Sequence, residues 1–145
     1  MKKRIILALI LTILGLPTLS FADLRQLVEF PEMMRDHMLE NMRDHLLALT
    51  EIQQHFAPEE YEKFATVAKN RLGMSSLDGH GASHMARFMP VAMQQIGTQM
   101  HKAASRFAII VQESGLEGST PKIAEGLAGV MQQCVACHSS YRVHP

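Results

Sequence analysis

Near the C-terminal end of the chain stands Cys134-Val135-Ala136-Cys137-His138, followed by Tyr141 and Arg142. Two cysteines three apart with a histidine next in line is the spacing of covalent haem attachment. On a helix, residues i and i+3 share a face, so both thiols can reach the vinyl groups along one porphyrin edge. His138 then lies one turn beyond Cys134, where an imidazole can serve as proximal iron ligand. A thioredoxin-like redox pair should instead open a helix after a strand, where the dipole lowers a thiol pKa; this motif closes a helical pattern. A structural zinc site needs further ligands, and the chain holds no third cysteine.

The other end of the chain reads as an address. Lys2, Lys3 and Arg4 precede an apolar run from Ile5 to Leu16, and Ser20 and Ala22 are the small residues a signal peptidase reads. Residues 1–22 are thus predicted to be a secretory signal peptide, too short and wrongly flanked for a stable membrane anchor. Cleavage leaves residues 23–145 as one domain. Loss of three basic residues from a chain with 14 basic and 14 acidic side chains leaves the mature domain acidic by three charges. That balance argues against nucleic acid as a partner. Export agrees with the cysteine motif, because haem is joined to such motifs after the apoprotein crosses the bacterial inner membrane; the expected location is the periplasm.

Between these ends the pattern is helical. From Glu32 to Phe56, apolar residues recur at Met34, Met38, Leu39, Met42, Leu46, Leu49, Ile52 and Phe56, a wide stripe of helical period. Pro58 at the first helical position and acidic Glu59 and Glu60 behind it predict a second helix start, with a stripe of Tyr61, Phe64, Ala65, Ala68 and Leu72 and a stop at Gly73. The glycine- and serine-bearing stretch 74–82 reads as the longest loop. A third helix is expected from about Ser83 to Glu113, kinked or split by Pro90. A turn at 115–119, with Thr120 as N-cap and Pro121 next, introduces a fourth helix whose face carries Ile123, Leu127, Val130, Cys134, His138 and Tyr141. No stretch alternates like a half-buried strand. The expected fold is all-α, an antiparallel up-down-up-down four-helix bundle. In it the C-terminal end of the fourth helix lies beside the N-terminal end of the first, so the haem is expected between His138 and the segment 33–42.

A secreted chain with four predicted helices and a C-terminal Cys-x-x-Cys-His-x-x-Tyr-Arg resembles the class II c-type cytochromes, the cytochrome c′ family. Arg35, Leu39 and Met42 match that family's first-helix pattern of an arginine, the residue over the iron four later, and a methionine three after that. The resemblance implies one haem c per chain, thioether-linked to Cys134 and Cys137, with His138 as proximal ligand. It implies Arg142 as a cation near the proximal imidazole and Tyr141 against the haem edge; otherwise the two are an aromatic anchor and a cation at the negative end of a helix. On the distal side, Leu39 would leave a cramped five-coordinate iron open to NO or CO. A small rotation of the first helix would present Met38 instead, giving a closed six-coordinate electron carrier, and His37 is a third option. Members of the family often pair through the first two helices, so a homodimer using residues such as Leu47 and Tyr61 is expected.

Seven further histidines remain: His37, His45, His55, His80, His84, His101 and His144. Several adjoin methionines, a pairing that suits copper, although Met85, Met89 and Met93 with Phe88 and Ile96 read as an ordinary buried stripe. Asp78, His80 and His84 form a further cluster near one loop. No Ser/His/Asp order, paired-carboxylate setting or phosphate-binding glycine loop suggests an enzyme. The functional expectations are one-electron transfer with periplasmic redox proteins, binding of NO or CO, or both, with copper handling by the Met/His-rich helices as the alternative.

Overall fold

The computed structural model describes residues 23–117 and 119–144; the signal peptide expected over residues 1–22 lies outside them. The fold is all-α apart from two short strands. Helix α1 runs Glu32–Phe56, α2 Tyr61–Val67, α3 Ala82–Met85, α4 Val91–Glu117 and α5 Thr120–Ser140; β1 is Gln26–Leu27 and β2 Tyr141–Arg142. No described helix is long and apolar enough to cross a membrane.

The α1 boundaries agree with the sequence pattern, but its buried stripe is rotated. Met38, Asn41, His45, Ala48 and Ile52 face inward, whereas Leu46, expected inside, is 67% exposed. The sequence pattern followed apolarity and therefore passed over two polar residues, Asn41 and His45, which are buried because partners from a distant loop meet them. On the flank of the helix, Arg71 reaches Asp44 and Glu51, half-burying both carboxylates. Asp44 is held below its usual range by the hydrogen bond from Arg71.

Pro58 does not open α2. It lies in a turn where Glu59 takes a left-handed φ of 60°, Glu60 is the N-cap and the helix begins at Tyr61. The backbone N–H groups of Glu59 and Glu60 are spent on Phe56 and His55 of the preceding helix, so the chain must reverse before it can wind again. From Ala68–Leu72 the helix widens into a π turn. Gly73 then ends it where a Cβ would lie 2.4 Å from the Lys69 carbonyl oxygen.

The expected loop contains a short 3₁₀ turn at Met74–Ser76, and α3 passes into another at Ala86–Phe88. Met89 is extended and Pro90 stands before Val91, so the proline splits the third predicted helix as anticipated. The long part, α4, continues to Glu117, through the residues expected as a turn. Gly115 lies within this helix, and its missing Cβ leaves room for the Tyr61 ring, whose Cγ would lie 2.7 Å from a Cβ there. Helix α5 starts one residue early, with Ser119 as N-cap and Pro121 in the first turn.

Two apolar groups result. The larger gathers Ile52, Phe64, Leu72, Phe107, Val111, Ile123 and Val130, with Phe64 in edge contact with both Phe56 and Phe107. Helix α4 packs on α5 and on α2 with its π turn, and α2 packs on α1. The backbones of α1 and α5 approach each other little by comparison. A second, methionine-rich group of Val28, Met38, Met85 and Met93 lies apart from the first.

Candidate functional site

Cys134, Cys137 and His138 all fall in the last turns of α5. Both thiols are free and half-buried. Burial pushes both thiols above their usual pKa, the opposite of an activated redox cysteine, which sits at a helix start. Cys134 packs against the large core and Cys137 against the methionine group, so the motif spans the boundary between them. His138 is exposed.

The residues preceding α1 hold this end of α5. β1 pairs in parallel with β2, matching Gln26 to Tyr141 and Leu27 to Arg142. The Val28 N–H donates to the Arg142 carbonyl at 2.8 Å, and Arg25 donates to the His138 carbonyl at 3.3 Å. A segment that sequence alone left unassigned thus straps the start of α1 to the end of α5. The strap also takes Tyr141 and Arg142 out of the helix on which the sequence pattern had placed them.

Tyr141 packs on the methionine group with Phe30, Met34, Met42, Met89 and Cys137. Arg142 is half-buried; among the described residues its Nε is buried without a hydrogen-bond partner, and the Asp23 carboxylate stands 3.8 Å from it. Met38 is buried within the methionine group at 7% exposure, whereas Leu39 is half-buried and belongs to neither apolar group. Arg35 is half-buried and pairs with Asp36 and Glu32 on its own helix. The structure therefore brings Met38, Met42, Tyr141 and Cys137 together and leaves Leu39 beside them rather than among them.

A second constellation has no counterpart in the sequence reading. His80 does not meet Asp78 and His84, which are exposed. It meets His45 of α1 and His101 of α4, with one ring nitrogen from each within 4.8 Å of the others. The signal that could have found it is the pair of histidines set on the inner faces of two long helices.

Compared with protein-family models, curated proteins and solved structures, the chain finds no match.

Proposed function

We propose that the chain is an exported class II c-type cytochrome, one haem c per polypeptide, carrying single electrons between periplasmic proteins. In this reading its long helical segments close as an antiparallel up-down-up-down bundle. The order of packing along the chain and the strap joining the start of α1 to the end of α5 support that closure. One observation carries the functional reading. Two unactivated thiols and an imidazole stand on the last turns of one helix, with Cys137 against a methionine-lined apolar group contributed by α1 and its neighbours.

The residues fit haem c. Cys134 and Cys137 would hold it through thioethers and His138 would ligate the iron; haem supplies a one-electron couple, and a gas site where an axial position is free. The methionine group beside Cys137 would keep water from a haem held there, and Arg142 Nε, without a hydrogen-bond partner among the described residues, would suit an anionic acceptor such as a haem carboxylate. The slight backbone approach of α1 to α5 fits a group seated between them.

The distal residue decides between two forms. The family pattern sets Leu39 over the iron and leaves room for NO or CO. The burial of Met38 beside Cys137 and Tyr141, with Leu39 outside that group, favours Met38 and a closed carrier.

Acid–acetone extraction tests attachment: haem should stay with the polypeptide, and its full release would overturn the proposal. Spin state and CO binding then separate the forms. In the favoured form, Met38→Ala converts a low-spin, CO-resistant haem to a high-spin, reactive one, while Leu39→Ala leaves the spectrum unchanged. The reverse outcome, with Leu39→Ala speeding CO binding, assigns the gas-binding form.

A further inference from the structure

Three imidazoles brought together from distant parts of a chain need a reason. His45 and His101 are 8% and 7% exposed, on α1 and α4, and His80 comes from the loop between α2 and α3. His45 meets His80 and His101 edge to face, and His80 is tilted against His101, with centroids 4.8 to 5.7 Å apart. The contact between His45 Nε2 and His80 Nδ1, at 3.5 Å, is at the outer limit for a hydrogen bond, so the three rings do not satisfy one another well. An apolar trio would fill this space without the cost of burying polar nitrogens.

The surroundings hold the His101 ring and the His80 backbone in place. The His101 Nδ1–H donates to the Leu72 carbonyl at 2.8 Å, which leaves the Nε2 lone pair free to bind. That is the backbone tie by which metal-binding histidines are commonly oriented. Leu72 closes the π turn, a distortion frequent at functional sites. The His80 carbonyl accepts from His37 Nε2 at 3.1 Å and from Asn41 Nδ2 at 2.9 Å, fastening the loop to α1. Gly81, at a φ of 62°, completes the close approach; a Cβ there would lie 3.1 Å from His37 Nε2.

We propose that His45, His80 and His101 form a tri-imidazole site for a zinc-class divalent transition ion, separate from the haem site. The donor set consists of three nitrogens with no carboxylate or thiolate, which suits borderline ions and not calcium or magnesium. Ligands about 2.1 Å from a tetrahedral ion lie about 3.4 Å apart, so nitrogens within 4.8 Å need only a small inward turn, available to His80 on its loop. The fourth position is left to water. No member of this set belongs to the apolar group around Cys137, so the proposal stands independently of the haem reading.

Calorimetric titration of the mature protein with Zn²⁺ tests it. One ion should bind per chain, and His80→Ala should weaken binding beyond the roughly 10- to 100-fold cost of losing an outer partner. The His80 backbone carbonyl, which anchors the loop, survives that substitution. His101→Gln can still donate to Leu72 and should show the same loss, while His84→Ala should bind like the parent. Absence of saturable zinc binding in the parent, or binding of parental strength in His80→Ala or His101→Gln with unchanged helix content, would overturn the proposal.

Discussion

At the scale of single residues, burial decides which side chains can do chemistry. His45 shows this most directly. Desolvation, with the neighbouring His80 and His101, drops its pKa from 6.5 to about 4. The same burial lowers His80 and His101. A folded state that takes up protons less readily than the unfolded chain is stabilised above the unfolded pKa, and loses that stability as pH falls toward the folded one. For the metal-free protein, His45 alone should account for a loss of about 2 kcal/mol between about pH 7 and about pH 5, above the range where carboxylates protonate. Urea unfolding in the presence of a chelator measures it: the fall should be clear in the parent and flatter in His45→Gln. A parent whose stability is level over that interval would contradict the burial-driven depression.

At the scale of elements, glycines on two helices make opposite predictions. Gly115 of α4 faces the Tyr61 ring at distances no Cβ tolerates, and the obstructing atoms include Tyr61 Cβ and Cγ rather than a flexible tip. Gly115→Ala should therefore destabilise the fold by about 1–3 kcal/mol, despite the better helix propensity of alanine. Gly129 of α5 has nothing within 4 Å of its would-be Cβ, so Gly129→Ala should stabilise by about 0.5–1 kcal/mol. Thermal denaturation of both variants checks the contrast. The same elements show what the sequence could tell. Helix α1 was legible to its ends, and Pro90 marked the break before α4, because periodicity and proline chemistry are local. The rotation of the α1 stripe was not legible. It depends on His80 and Arg71 arriving from elsewhere, and the His101 contact at the end of the π turn likewise comes from a distant helix. The cysteine–histidine motif could be placed on the end of a helix from its spacing; the strap that pulls Tyr141 into a strand could not.

At the scale of the whole molecule, two surfaces remain to be accounted for. Leu46 and Leu47, 67% and 60% exposed, lie side by side on the outer face of α1. Tyr61, expected to join them in a dimer contact, is half-buried, with the base of its ring packed against Gly115. If α1 pairs with its copy, Leu46→Glu with Leu47→Glu should shift sedimentation from two chains to one at unchanged helix content; a parent that is monomeric across a wide concentration range removes the dimer. The other surface is the seam between α1 and α5. Its two sides meet through the strap of β1 and β2 and the methionine group, whereas α4 is packed along both α2 and α5. Local opening takes place where few apolar contacts hold an element, so the α1 edge should exchange amide hydrogens faster than α4 when haem is absent. Attached haem would add apolar contacts to both sides of that seam and bind the folded state selectively. Hydrogen exchange of the mature protein against the Cys134→Ala, Cys137→Ala form should thus show slowing concentrated in the first half of α1 and the last turns of α5. Slowing spread evenly through α2 and α4 would place the haem elsewhere, and would count against the seam as its seat.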